Sequence, residues 1–306
     1  MKARWNQILA LALLCMVGHV GAAIADAPPQ KLPSALLMFP YVDSGGGVET
    51  RIELVNLSGG PVNLQCFFVN SESELCNEIG FFLTLTPYQP MAWVASEGVS
   101  DEGNATAAPP FFGTGELKCA VMPAQPTTDF YNTIQGRATV YHDDGETVSY
   151  SAVGFLRLRD GEYAGALQLN NGDYTQCPDK LHFDVLTDQP ATPSSELILL
   201  PCTEDLLLQI PTMLNVQLLI TNEFEQTFST SYSIKCFSRR AFSDIADSLT
   251  RAAAGTETAH ISVRGSQGPL IGLVIDSVPF QAINGVAGNE PSLQGGRSAT
   301  VTFPQP

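Results

Sequence analysis

Hydrophobic and polar residues alternate along much of the chain, and the pattern is clear over residues 48–56. Val48, Ile52 and Leu54 share one parity of this segment, while charged residues occupy much of the other. Alternation with a period of two puts the apolar side chains on one face of a half-buried strand. A turn over 57–61 and a second alternating segment then predict a β-hairpin. The second segment covers 62–68, and further strands are predicted at 81–86, 91–95, 117–122, 137–141 and 148–158.

The second half of the chain repeats features of the first half in the same order. An apolar run ends at Pro40, and a similar run ends at Pro201. A segment with alternating apolar residues then ends at Asn56, and its counterpart ends at Asn222. Because the echoes share one order, they predict a degenerate tandem repeat of a single β-rich unit.

A polar, proline-rich stretch at residues 187–195 separates the two halves and has the composition of a linker. The chain of 306 residues is longer than most single domains. We therefore predict an all-β protein with two tandem sandwich domains, over residues 26–186 and 196–306. Apolar residues spaced three and four apart over 240–254 predict one short helix in the second domain.

Residues 1–25 have the features of a secretory signal peptide. Lys2 and Arg4 form a basic start, an apolar stretch follows over 8–20, and alanines at 23 and 25 fit the small-x-small cleavage rule. The apolar stretch is shorter than the roughly 20 residues that span a bilayer. After cleavage we expect no membrane span and a place outside the cytoplasm, in the periplasm, at the cell surface or in the medium.

The chain is acidic, with 31 acidic and 15 basic residues. Loss of Lys2 and Arg4 with the signal changes the formal net charge from −16 to −18. Nucleic acids and anionic lipids are bound by concentrated basic surfaces, and the nearest approach to one here is the pair Arg239 and Arg240. Neither class of partner is therefore expected, and solubility explains the acidity.

Cysteine usage agrees with export. Removal of the signal takes Cys15 with it and leaves Cys66, Cys76, Cys119, Cys177, Cys202 and Cys236. An even number in an exported chain predicts three disulfides, and no C-x-x-C spacing supports a thioredoxin-like redox site or a zinc ribbon. If the domains do not cross-link, the expected pairs are Cys202–Cys236, Cys66–Cys76 and Cys119–Cys177. The alternative is that some of these cysteines are buried free thiols.

The sequence contains no recognisable catalytic or metal-binding motif. Neither H-E-x-x-H nor G-x-S-x-G occurs, and adjacent residues such as His142 and Asp143 point to opposite faces of a strand. His182 and His260 are interpreted as ordinary strand positions. The carboxylates at 143–146 offer oxygen ligands for calcium, but their spacing is not that of a calcium loop, so a solvated hairpin turn is preferred. No cofactor or metal is expected.

Exposed aromatic rings can stack on sugar faces and are the candidates for ligand contact. Trp93 lies among apolar residues and is interpreted as core. Phe111 and Phe112 follow two prolines and are the better candidates for an exposed platform. Anchoring of a loop is the competing interpretation for both rings.

The opening of the first half resembles a group of bacterial proteins. A run ending in Phe39 and Pro40, a triple glycine at 45–47 and the pattern T-x-I-x-L-x-N over 50–56 carry the resemblance. These features resemble those of uncharacterised bacterial secreted β-sandwich domains with an immunoglobulin-like fold. The resemblance is best over residues 36–70. The resemblance implies an immunoglobulin-like sandwich and export, and it supplies no active site.

These features favour one functional hypothesis over two others. The first is a non-enzymatic structural or interaction protein of two tandem immunoglobulin-like domains, acting on an unknown protein or a surface glycan. The second is an extracytoplasmic ligand-binding module for carbohydrate, with Phe111 or Phe112 against the sugar. The third is a hydrolase of unknown type, in which two carboxylates would face each other across a cleft.

Overall fold

The computed structural model describes residues 32–72, 75–100, 107–122, 131–159, 165–188, 195–279 and 284–304. The described chain is all-β with short helical segments, as the alternation predicted. The predicted signal peptide lies outside the described residues.

The strands are numbered in chain order. Those before the predicted linker are β1 (Leu36–Ser44), β2 (Val48–Asn56), β3 (Val62–Asn70), β4 (Glu78–Leu85), β5 (Pro90–Val94), β6 (Val99–Ser100), β7 (Ala107–Ala108), β8 (Gly113–Met122), β9 (Ile134–His142), β10 (Thr147–Ser151), β11 (Val153–Phe155), β12 (Ala166–Leu169) and β13 (Lys180–Leu186). Those after it are β14 (Ser195–Pro201), β15 (Glu204–Asp205), β16 (Met213–Asn222), β17 (Thr227–Lys235), β18 (Ser238–Ala241), β19 (Thr258–Gly265), β20 (Leu270–Pro279), β21 (Asn284–Asn289), β22 (Ser292–Gln294) and β23 (Ala299–Thr302).

Two large antiparallel sheets form most of the first half, beside a two-stranded pair of β6 and β7. One has five strands in the order β11-β1-β8-β3-β4, and the other has four in the order β10-β9-β2-β5. Ile52 and Leu54 on β2 meet Leu64 and Phe68 on β3 in one buried cluster. The apolar parity of each strand therefore faces a common core between the sheets, as a half-buried strand requires.

The predicted hairpin of β2 and β3 is wrong. β2 pairs with β5 and β9, whereas β3 pairs with β4 and β8 in the other sheet. The turn after Asn56 carries the chain across the core instead of back along the same sheet. Both routes bury the same side-chain parity, so alternation alone could not distinguish them.

β1 explains the unbroken apolar run before Pro40. Every residue of this strand is buried, with Leu37 and Phe39 in the core of the first half and Leu36 and Met38 in a second cluster. A strand that is covered on both faces has no polar parity, which explains why residues 36–39 are continuously apolar.

Two further sheets form the second half, in the orders β17-β16-β19-β13-β22 and β18-β14-β20-β21. β13 precedes the predicted linker at 187–195, yet it pairs with β19 and β22, which both follow that linker. Sheet pairing therefore does not divide the chain at 187–195.

The described ends of the predicted linker are packed into the fold. Thr187, Asp188 and Ser195 are buried. The Asp188 carboxylate accepts hydrogen bonds from the backbone N–H of Ser195 and of Ser243, each at 3.0 Å. Residues 189–194 lie outside the described ranges.

A small sheet in the order β12-β23-β15 joins the two halves. β12 lies before the predicted linker, while β23 and β15 lie after it. Leu167 on β12 and Val301 on β23 share a buried cluster with Met38 and Phe67 of the first half and with Leu200 of the second. The halves therefore share a hydrophobic core, which we call the joint.

The helix predicted at 240–254 is broken into short pieces. α1 spans Phe242–Ile245, a 3₁₀ turn spans Asp247–Leu249 and α2 spans Arg251–Ala254. Ala246 and Thr250 have extended backbones and interrupt the helix. The helical spacing did mark the buried side, because Phe242 and Leu249 are both buried.

Candidate functional site

The segment between β15 and β16 holds large apolar side chains in solvent. Leu207, Leu208, Ile210 and Met213 are exposed by 51%, 64%, 55% and 65%. We call residues 205–213 the apolar loop. A group of exposed apolar side chains of this kind is typical of an interaction surface.

Hydrogen bonds within the apolar loop fix its shape. The Asp205 carboxylate oxygen Oδ1 accepts the N–H of Leu207 at 3.2 Å and that of Leu208 at 3.0 Å. The N–H of Ile210 donates to the Asp205 carbonyl at 3.3 Å, and Gln209 between them has a φ of +53°. An aspartate that binds the backbone two residues ahead is a common way to close a tight turn.

Glu204, directly before the apolar loop, is anchored inside the other half. Its carboxylate contacts the Lys118 ammonium, and Glu116 Oε2 lies 2.7 Å from Lys118 Nζ. Lys118 and Glu116 are fully buried. Because a buried charge is stable only beside a partner, these contacts tie the start of the apolar loop to β8. With the nearby Glu78, these residues form what we call the buried ionic cluster.

The buried ionic cluster contains more acid than base. Burial raises the pKa of Glu116 from 4.5 to about 8, because the attraction of Lys118 does not offset the loss of water. Burial, with repulsion from Glu204, also raises the pKa of Glu78 to about 8. Burial alone would lower the pKa of Lys118, but Glu116 and Glu204 outweigh it and raise that pKa. Near neutral pH the lysine is therefore charged while Glu78 and Glu116 are mostly protonated.

A disulfide anchors the other end of the apolar loop. The Cys236 N–H donates to the Thr212 carbonyl at 2.8 Å, and Cys236 is bonded to Cys76 of the first half. Met213 then enters β16 opposite Lys235. The start of the loop is thus tied to the first half by charge, and its end is hydrogen-bonded to a cysteine that is covalently linked to that half.

The structure pairs all six cysteines, but in none of the predicted combinations. The disulfides are Cys66–Cys119, Cys76–Cys236 and Cys177–Cys202. The prediction rested on domains that do not cross-link. That assumption is wrong, because the second and third bonds each connect residues on opposite sides of 187–195.

Arg239 forms a second ionic contact between the halves. Its guanidinium lies 2.8 Å from Asp43 Oδ2 and 2.8 Å from Glu196 Oε2. The Tyr41 hydroxyl donates to Asp43 Oδ2 at 2.9 Å, and burial raises the pKa of Tyr41, which keeps this donor protonated. One member of the basic pair noted in the sequence is therefore committed to one carboxylate from each half.

The two candidate sugar-contacting rings lie in different environments. Phe111 is fully buried and stacks on Phe68 with ring centroids 4.8 Å apart. Its prediction as a ligand contact is wrong, because the ring fills the core of the first half. Phe112 is 64% exposed, and its carbonyl accepts a hydrogen bond from Asn70 Nδ2 at 3.0 Å. Trp93 is buried, as predicted.

The acidic turn at 143–146 connects β9 and β10 as a hairpin, as predicted. The backbone N–H of His142 donates to the Glu146 carbonyl at 2.8 Å, and that of Gly145, which has a φ of +93°, donates to the His142 carbonyl at 2.9 Å. Among the described residues, no three histidine, cysteine or acidic side chains gather in a way that suits a metal ion. Within the same ranges, no helix combines the length and the apolar character needed to cross a membrane.

A cavity of about 760 Å³ opens on the sheet that contains β2. Its rim carries Arg51 and Arg137, and both donate to Glu53, from Arg51 Nε at 3.1 Å and Arg137 Nη2 at 2.6 Å. The hydrogen bond from Arg137 holds the pKa of Glu53 below its usual value. The rim is therefore a fixed network in which one carboxylate neutralises much of the arginine charge.

In a comparison with known proteins, no protein-family model matches the chain, and no curated protein matches it.

Periodicity did not reveal the apolar loop. The three consecutive leucines at 206–208 fit neither a strand nor a helix, and Leu206 alone among them is buried. The break in alternation beside Pro211 was the one available signal. No sequence signal indicated that Glu204 contacts Lys118, since the two residues are 86 positions apart in the chain.

Proposed function

We propose that this chain is a non-enzymatic, exported interaction protein that presents the apolar loop to a protein partner. The single observation behind the proposal is that four large apolar side chains stand in solvent on a loop held at both ends. A rigid loop loses little conformational entropy on binding, so its apolar area contributes efficiently to affinity.

The charge of the chain favours a protein over other macromolecular partners. With a formal net charge of −16, the molecule is repelled by nucleic acids and by anionic lipid surfaces. A protein partner need not be acidic, and apolar contact with it does not require a basic surface on this chain. The three disulfides support a place outside the cytoplasm, because such bonds persist in oxidising compartments.

We also propose that the chain is built from two immunoglobulin-like sandwich units that repeat one plan. β2 and β16 each end at a buried asparagine, Asn56 or Asn222, whose side chain organises the following turn. β13 would belong to the second unit, because both of its sheet partners do. The boundary would then lie before residue 180 instead of at 187–195.

Site-specific photo-crosslinking tests the interaction function. A photoreactive amino acid replaces Leu208, and the protein is made and exported by its own cells. We expect one discrete adduct with another exported protein. Ile210→Ser should weaken binding of that partner by more than about tenfold, the usual effect of truncating an interface anchor.

Leu219 supplies the matched control. It is 49% exposed on β16, outside the apolar loop, and the same photoreactive group there should not form the adduct. Equal adducts from positions 208 and 219, no adduct from 208, or an adduct with a second copy of this chain alone would each overturn the proposal.

The carbohydrate-binding alternative now rests on Phe112, whose ring is exposed. On a glycan array, this alternative requires saturable binding that Phe112→Ala removes and that Tyr88→Ala, a change at another exposed ring, leaves intact. An array without saturable binding by the wild-type protein would eliminate it.

A further inference from the structure

Two histidines that are far apart in sequence meet on the outer face of the sheet that contains β13 and β19. His182 Nδ1 lies 3.2 Å from His260 Nε2, and the ring centroids are 5.3 Å apart. The residues are 78 positions apart in the chain. Antiparallel pairing of β13 with β19 sets His260 opposite Asp184. His182 lies two residues before Asp184 on the same strand and therefore on the same face.

The second nitrogen of each ring has a partner that determines where the proton sits. His260 Nδ1 lies 2.8 Å from Asp184 Oδ1, and His182 Nε2 lies 2.9 Å from Gln294 Oε1. The Asp184 carboxylate accepts, so His260 Nδ1 is the N–H donor, and with the Gln294 amide oxygen facing it, His182 Nε2 is a donor as well. The facing nitrogens, His182 Nδ1 and His260 Nε2, are then the ones with lone pairs in neutral rings.

Where both rings present a lone pair, the 3.2 Å between these nitrogens favours a positive species between them. A transition metal suits the spacing. With metal–nitrogen bonds of about 2.0–2.1 Å, two ligands of a tetrahedral ion lie about 3.3 Å apart. Imidazole nitrogen is the ligand that zinc, copper and nickel accept readily.

We propose that His182 and His260 form a binding site for a divalent transition metal ion, with Zn²⁺ as the representative ion. Asp184 and Gln294 orient the rings through their outer nitrogens, the arrangement that commonly supports metal-binding histidines. Water completes the coordination, because the site lies on an accessible face where the His260 side chain is 46% exposed. The site is separate from the apolar loop and does not depend on the proposed function.

Both histidines occupy ordinary strand positions, so no sequence motif indicates this site. Zinc motifs are recognised by short spacings along one segment, whereas these two ligands lie on different strands. Only the pairing of β13 with β19 brings them together.

Zn²⁺ titration of the full exported protein, made without a histidine tag and with its disulfides intact, tests the site. Isothermal calorimetry should show one saturable site in the wild-type protein. His182→Gln and His260→Gln should each remove it. Asp184→Asn should keep the site but weaken it by about 10–100-fold, the usual effect of losing an orienting partner.

His142→Gln is the matched control, since His142 lies in the β9–β10 hairpin and should leave Zn²⁺ affinity unchanged. X-ray absorption of the zinc complex should show two imidazole ligands. The proposal is overturned if wild-type protein binds no Zn²⁺ saturably, or if the His182→Gln/His260→Gln double variant binds it equally well. If the two histidines only share a proton, the wild-type protein would bind no Zn²⁺ saturably. Circular dichroism of each variant confirms that the fold is retained.

Discussion

At the scale of single residues, Lys118 is the side chain whose burial most constrains the joint. It contacts Glu116 on its own strand and Glu204 from the second half. Burial of this charge is tolerable because the Glu204 carboxylate and the Glu116 carboxyl group both contact it. The surplus acid is accommodated by the raised pKa values of Glu78 and Glu116. The arrangement makes the joint sensitive to pH.

We predict that stability falls as the pH rises from about 5 to 8. Glu116 has a pKa near 4.5 when exposed and about 8 in the fold. The native state therefore binds this proton more tightly, and the stability it contributes is lost as the pH rises through that window. Glu116→Gln mimics the protonated form, so it should flatten the dependence by up to about 1.4 kcal/mol per pH unit. Urea denaturation at a series of pH values measures the slope.

Glu97→Gln is the control for this experiment, because Glu97 is exposed on a turn. It should leave the slope unchanged. Some slope should remain in Glu116→Gln, since Glu78 titrates in the same window. An identical slope in the wild-type protein and in Glu116→Gln would contradict the assignment.

At the scale of elements, the ends of β2 and β16 show how the chain turns after its long strands. Asn56 Nδ2 donates to the carbonyls of Gly60 at 2.7 Å and Thr86 at 2.9 Å. Asn222 Nδ2 donates to the Ala254 carbonyl at 2.8 Å, and its Oδ1 accepts the N–H of Gln226 at 2.9 Å. Both side chains are buried and satisfy backbone groups that a turn would otherwise leave unpaired.

Asn56→Ala and Asn222→Ala should each lower the free energy of unfolding by about 1–3 kcal/mol, because each leaves buried backbone groups without partners. Chemical denaturation measures the change. Asn215→Ala is the control, since Asn215 is exposed on the same strand as Asn222; it should stay within about 0.5 kcal/mol. If Asn56→Ala and Asn222→Ala also change the free energy of unfolding by less than about 0.5 kcal/mol, these turns are stable without their asparagines.

Alternation predicted individual strands well and their partners poorly. The bounds of β2 match the predicted 48–56, because a period of two is a local property of the segment. Its partners β5 and β9 are set by packing across the whole sheet. Phe111 shows the same limit, since exposure was expected from the adjacent prolines and the ring is buried against Phe68.

At the scale of the whole molecule, the two halves are joined by extensive contacts and by covalent bonds. They share the joint core, the buried ionic cluster, the Arg239 contacts and two disulfides. The apolar loop emerges from this joint, so its position depends on contacts from both halves.

Removal of the Cys76–Cys236 disulfide should loosen the apolar loop and destabilise the protein. The bond closes a sequence separation of 160 residues, and such bonds typically contribute about 2–5 kcal/mol. We expect Cys76→Ser/Cys236→Ser to lower the free energy of unfolding by that amount. Limited proteolysis with mass spectrometry should show faster cleavage within 205–213. Unchanged stability together with an unchanged cleavage pattern would show that the loop is anchored by other contacts.

By itself, the amino-acid sequence determined the all-β class, the buried parity of many strands, and turns such as 143–146. These follow from the local rules that alternate side chains point to opposite faces and that certain residues close turns. The tertiary structure alone decided the strand partners, the cysteine pairing, the burial of Lys118, the apolar loop and the meeting of His182 with His260. Each of these depends on which distant segments become neighbours, and a pattern with a period of two contains no information about that choice.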